Sequence, residues 1–214
     1  VLLIFDICKR QLFFSYFKIL CRQYFRDKGK IFALLLQPLI IGFLFSQTFS
    51  KNSSLWIAAF ALILSANWFA LSLSIREIIQ EKNLFSSEIR KGVSPFGILF
   101  AKLFFISSIA FFQTLICFGF LNAVLSIAVS PLWLCVAFLS TILPATLLGL
   151  LASCLVKNTS QANILLPLLI IPQVILGGAL VPIDQMTTIG RMLSALIPAK
   201  YNLDCLKNLF LNVS

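Results

Sequence analysis

The chain has 214 residues, 60% of them hydrophobic and only 11% charged, with a mean hydropathy of +1.01. A soluble domain carries about a quarter charged residues, so a soluble globular fold is excluded and a one-domain, multi-spanning membrane protein is expected. The formal net charge is +10 and histidine is absent, which removes the commonest general base and metal ligand.

The chain opens VLLIFDICKR without an initiator Met, as expected for a piece of a longer polypeptide. No short apolar stretch with a small-residue cleavage site marks a signal peptide. Residues 1–30 read as an amphipathic helix. Phe13, Phe17, Leu20 and Tyr24 fall on one face, and Gln11, Ser15, Lys18, Arg22 and Arg26 on another. Such a helix lies in the membrane interface, and the pattern fits a simple anchor. The stretch RDKGK at 26–30 separates it from the first span.

Apolar runs of about 20 residues can cross the hydrocarbon core. Five are read, at 31–49, 55–75, 96–125, 132–156 and 162–181. All should be helices, because backbone groups in lipid must pair within their own segment. Residues 182–214 are too polar to span as written. The predicted fold class is therefore all-α, a polytopic membrane helix bundle. Thirteen of the seventeen basic residues fall at one end of these spans, among them Arg76, Lys82, Arg90, Lys91, Lys102 and Lys157. That asymmetry predicts a cytoplasmic N-terminal segment and an outer 182–214 region. No basic–aromatic module accompanies the charge, so nucleic acid is not an expected partner.

The second span runs without Gly or Pro into a charged stretch, 76–94, before the chain re-enters the membrane. Glu77, Glu81, Leu84, Glu88 and Lys91 share one helical face; Ile78, Phe85 and Ile89 share another. The pattern allows either a solvated hairpin or a short helix docked on another element.

Residues 67 to 92 read N-x8-RE-x3-EKNLF-x2-E-x3-G. They are followed by AK at 101–102, LGGALVP at 176–182 and IPAKYNLDCLKNLF at 197–210. In this order, the set resembles the membrane domain of ABCG (White-type) ABC transporters, a type-2 exporter family, along nearly the whole chain. The resemblance implies a connecting helix over 1–30 and a coupling helix within 76–94, carrying Glu81, Phe85 and Glu88. It implies a charge cluster of Glu77 and Glu88 with Arg22 or Arg26. It also implies a substrate cavity near Asn67, Phe69 and Ala70, and an outer gate at Gly178, Ala179 and Leu180. Alanine at 179 departs from the family's usual leucine. Re-entrant helices over 182–214 and a sixth span beyond them are implied as well, so five spans of a probable six are visible. Partners implied are a nucleotide-binding ATPase domain, a second permease copy and membrane lipids, the substrate being lipid-like or amphipathic.

No G-x-x-x-x-G-K-[ST] is present, so ATP and Mg are expected on the partner domain, with no cofactor on this chain. The chain is expected to be a transport subunit and not an enzyme. An ion- or proton-coupled transporter would bury carboxylates or His in its spans, and the five spans contain none. A non-transporting scaffold is the other alternative. Gln113, Asn163 and Gln173 are expected to make helix–helix hydrogen bonds. Pro38, Pro144, Pro167 and Pro172 are expected to be static kinks. The six cysteines lack metal-ligand spacing and no intrachain disulfide is expected.

Overall fold

A computed structural model of the chain describes residues 20, 22, 24, 26, 28–51, 53–80, 89, 95–127, 130–178, 181–195 and 197–211. The described residues are helical and carry no strand. Five helices are long and apolar enough to cross a membrane. They are α1 (Lys28–Thr48), α2 (Leu55–Ser74), α4 (Pro95–Leu125), α5 (Pro131–Leu155) and α6 (Thr159–Leu176). A single turn, α3 (Glu77–Gln80), continues α2, and α7 (Thr188–Ser194) and α8 (Pro198–Leu211) follow the last span. Helical backbone also holds Leu20, Arg22, Tyr24 and Arg26 ahead of α1. Of the 76–94 stretch, only residues 76–80 and Ile89 are described. Glu81, Phe85 and Glu88, and Ala179 and Leu180 of the expected gate, lie outside the described residues.

Short links reverse the chain between α1 and α2, between α4 and α5, and between α5 and α6. The starts of α1, α4 and α6 therefore share one end with the finishes of α2 and α5. This is the basic end. At the other end, α8 packs Ala199, Leu203 and Leu206 against Ala59, Phe60 and Ile63 of α2 and Ala137 of α5. Ser140 Oγ donates to Asn202 Oδ1 at 3.0 Å to pin that contact.

Helix α2 is the centre of the bundle. It packs most heavily against α5 and also meets α4, α6 and α8. Within its apolar window 67% of residues are buried, against 11% for α1. Helix α1 leans mainly on α4 and leaves Phe32, Leu35, Leu39, Ile40, Phe43 and Leu44 exposed, a surface for lipid or a partner.

Without a hydrophobic drive between helices in lipid, close approach depends on small side chains. Ala58, Ala59, Ala66 and Ala70 of α2 are buried, as are Ala137, Ala145 and Gly149 of α5. At Gly149 a methyl group would collide with the Ser74 side chain, which is anchored by a 2.6 Å bond to the Ala70 carbonyl. Overpacking of this kind costs about 1–3 kcal/mol. Gly149→Val is expected to lower the melting temperature of the purified chain, while Gly119→Ala, with nothing near the added carbon, leaves it unchanged.

Three buried hydroxyls are satisfied within their own helices: Ser65 donates to Leu62 O, Thr141 to Ala137 O and Thr146 to Ile142 O. Ser107 adds an α4–α5 link to Thr146 at 3.2 Å. The proline in α1 has a specific partner. Pro38 has no N–H to give the Leu34 carbonyl four residues back. Gln113 of α4 fills the gap, its Nε2 donating to Leu34 O at 2.8 Å. One turn further, Cys117 Sγ lies 3.4 Å from the Pro38 carbonyl. Gln173 Nε2 donates to Leu169 O within α6. Asn163 is exposed. Cys117, Cys135, Cys154 and Cys205 are free thiols.

Candidate functional site

Where α2 ends, Ile75 closes the helix with its N–H on Leu71 O, and a turn through Arg76 leads into α3. The next residue, Glu77, is buried. Its two carboxylate oxygens have separate partners. Oε1 accepts from Lys102 Nζ at 3.0 Å and Oε2 accepts from Tyr24 O–H at 2.9 Å. Lys102 is 1% exposed and Glu77 4%. A desolvated ion pair is tolerable only when its remaining lone pairs are satisfied, and the Tyr24 hydroxyl supplies that third group.

The cluster draws five elements together. Tyr24 comes from the N-terminal helical segment, Glu77 from α3 and Lys102 from the second turn of α4. Tyr24 meets Phe105 edge to face at 5.0 Å between centroids, and Lys30 at the start of α1 sits 5.3 Å from the Tyr24 ring. Helix α5 joins through Ser153, whose Oγ accepts from the Ile78 N–H at 3.1 Å. Leu20, Ala101, Ile106 and Leu150 wrap the cluster in apolar side chains.

Of the expected charge cluster, Glu77, Arg22 and Arg26 are described and Glu88 lies outside the described residues. Arg22 and Arg26 are exposed, on the face of the N-terminal segment opposite buried Leu20 and Tyr24. The cation on Glu77 is Lys102. A lone lysine eight residues inside an apolar helix needs a partner, and Glu77 is the carboxylate that follows α2 at the same end.

Asn67, Phe69 and Ala70 are all buried inside the single chain, at 2%, 0% and 0% exposure. Helix α2 is covered by neighbours on most of its circumference, and Asn67 Nδ2 finds no hydrogen-bond partner among the described residues. The neighbouring Trp68 is 38% exposed instead. Gly178 is buried with φ of +87°, a conformation glycine adopts without penalty, and it ends the run that follows α6.

Beside the cluster a cleft of about 290 Å³ opens between α1, α2 and α6. Tyr24, Lys30, Arg76 and Glu77 line it toward the basic end; Leu34, Gln37, Trp68, Ser72 and Leu166 line it farther along the helices. Among the described residues no group of His, Cys, Asp or Glu could hold a metal ion.

The family model described as ABC-2 type transporter matches residues 11–211. A comparison with curated proteins finds no match. ABC-2 membrane domains are the transport subunits of ABC transporters and typically work with a nucleotide-binding ATPase. The match extends from the N-terminal helical segment through all five apolar helices to α8, and the chain is accordingly an integral, multi-pass permease component belonging to the ABC-2 type transporter family.

Proposed function

We propose that the chain is the permease of an ATP-driven exporter of the ABCG type. It moves a lipid-like or amphipathic substrate and works as a dimer or pseudo-dimer with its basic end in the cytoplasm of a plasma or inner membrane. The observation that carries this reading is the buried Tyr24–Glu77–Lys102 cluster. It locks the N-terminal segment, the turn after α2 and the start of α4 into one body, at the end where the chain continues into the charged 76–94 stretch. A nucleotide-binding domain pressing on that stretch would move α2 and α4 together, as rigid-body switching requires. ATP and Mg belong to that domain in this reading.

The α6 stripe of Ile164, Leu168, Ile171 and Ile175 is exposed and apolar, which suits a second copy or lipid at the bundle's edge. Glu77 and Lys102 are neutralised as a pair, which counts against the rival reading of an ion-coupled carrier. The test is transport of fluorescent lipid analogues in proteoliposomes holding the chain and its ATPase partner. ATP-dependent redistribution between leaflets is expected. Movement driven by an ion gradient without ATP would overturn the reading.

A further inference from the structure

The cleft between α1, α2 and α6 holds one guanidinium that the cluster leaves unengaged. Its described lining sets Arg76 beside the carboxylate of Glu77. That carboxylate is already taken on both oxygens by Lys102 and Tyr24. The half-buried Arg76 guanidinium makes no ion pair and no hydrogen bond among the described residues. A planar fork of donors held at the edge of a membrane bundle is the group best suited to phosphate.

Away from the basic end the lining is mostly apolar, Ala33, Leu34, Trp68, Leu73 and Leu166, with Gln37 and Ser72 among them. Along α1 the cleft runs from Lys30 to Gln37, about 10 Å at the helical rise, and along α2 from Arg76 back to Trp68, about 12 Å. Leu34 and Leu166 line that length with the Trp68 indole. A charged end beside a mostly apolar length of this size matches a headgroup and the first part of an acyl chain. The volume, about 290 Å³, sits at the lower limit of small-molecule sites, which run from about 300 to 1,000 Å³. It takes a glycerophosphate and its upper methylenes, with the rest of the chains in the bilayer.

We propose that this cleft binds the phosphate headgroup of an anionic glycerophospholipid from the leaflet at the basic end, with Arg76 as its principal contact. Basic pockets between membrane helices recognise such headgroups by the same chemistry. The bound lipid joins α1 to α2 one residue from Glu77, so it props the side of the cluster that faces α1. The proposal needs only the chain's placement in a membrane, and it stands whether or not the chain exports lipids.

The wild-type full-length chain, equilibrated in vesicles of equal parts phosphatidylglycerol and phosphatidylcholine and then purified, should retain phosphatidylglycerol in about fivefold excess. Arg76→Gln should bring retention close to parity, and Arg76→Lys should keep part of the preference. In a chain with Trp56→Phe and Trp133→Phe, brominated phosphatidylglycerol should quench Trp68 more than brominated phosphatidylcholine does, placing the lipid in this cleft. Equal retention of the two lipids by wild type would overturn the site without reference to any variant. So would equal quenching of Trp68. Loss of the preference in glycerol phosphate at millimolar concentration would overturn a lipid source and assign the site to a soluble phosphate ester.

Discussion

Lys102→Met is expected to destabilise the permease by about 3–5 kcal/mol, because it strands the buried Glu77 carboxylate without its cation. Glu77→Gln should cost a similar amount by stranding the ammonium of Lys102. The double variant with Met at both positions should lose far less than the sum, since an apolar pair of similar volume can replace a buried ion pair nearly neutrally. Tyr24→Phe removes one hydrogen bond to a charged acceptor and should cost about 1.5–3 kcal/mol. Chemical unfolding of the four variants in one detergent measures all of these. Single variants as stable as wild type would mean that the 3.0 Å contact is not a desolvated pair.

The second large effect is expected at Pro38 and Gln113. Gln113→Leu removes the donor to a carbonyl that proline has deprived of its helical partner, leaving Leu34 O unmet in an apolar contact. The expected cost is about 1–3 kcal/mol. In a Pro38→Ala background the new backbone N–H reaches Leu34 O, so the same Gln113→Leu change should cost much less. Non-additivity in that cycle reports the interaction itself. Additive costs would show that Gln113 serves α4 alone.

Much of the fold is legible in the sequence because the bilayer imposes a length. Each of the five apolar runs became a helix with ends within five residues of those expected, and α1 begins three residues early because Lys28 and Lys30 continue the helix beyond its apolar part. The split of the N-terminal segment into an apolar Leu20–Tyr24 face and a basic Arg22–Arg26 face is equally visible, since it needs only helical periodicity.

Which face of a span turns inward is another matter. Helix α2 is apolar on all sides, and a helix of that kind carries no facial signal in its sequence. Asn67 therefore reads as a cavity residue, although the packing of α5, α4 and α6 around α2 buries it. Lys102 reads as one more basic residue near a span end. Its role depends on Glu77 arriving beside it from another helix, a tertiary fact that periodicity along one segment does not encode. Gln113 stands between the two cases. A helix–helix bond is the expected use of an amide in a span, but its acceptor at Leu34 follows only from the pairing of α1 with α4.

In the proposed mechanism the cluster links the ATPase to the spans. Its most direct test is amphipath-stimulated ATP hydrolysis by the assembled transporter in proteoliposomes, comparing wild type with the Glu77→Met, Lys102→Met double variant. Wild type should respond to lipid-like compounds. The double variant should fold, bind its ATPase partner and hydrolyse ATP at the basal rate with no stimulation. Full stimulation in the double variant would contradict the role of the cluster, and no stimulation of wild type by any such compound would contradict the assignment of substrate class.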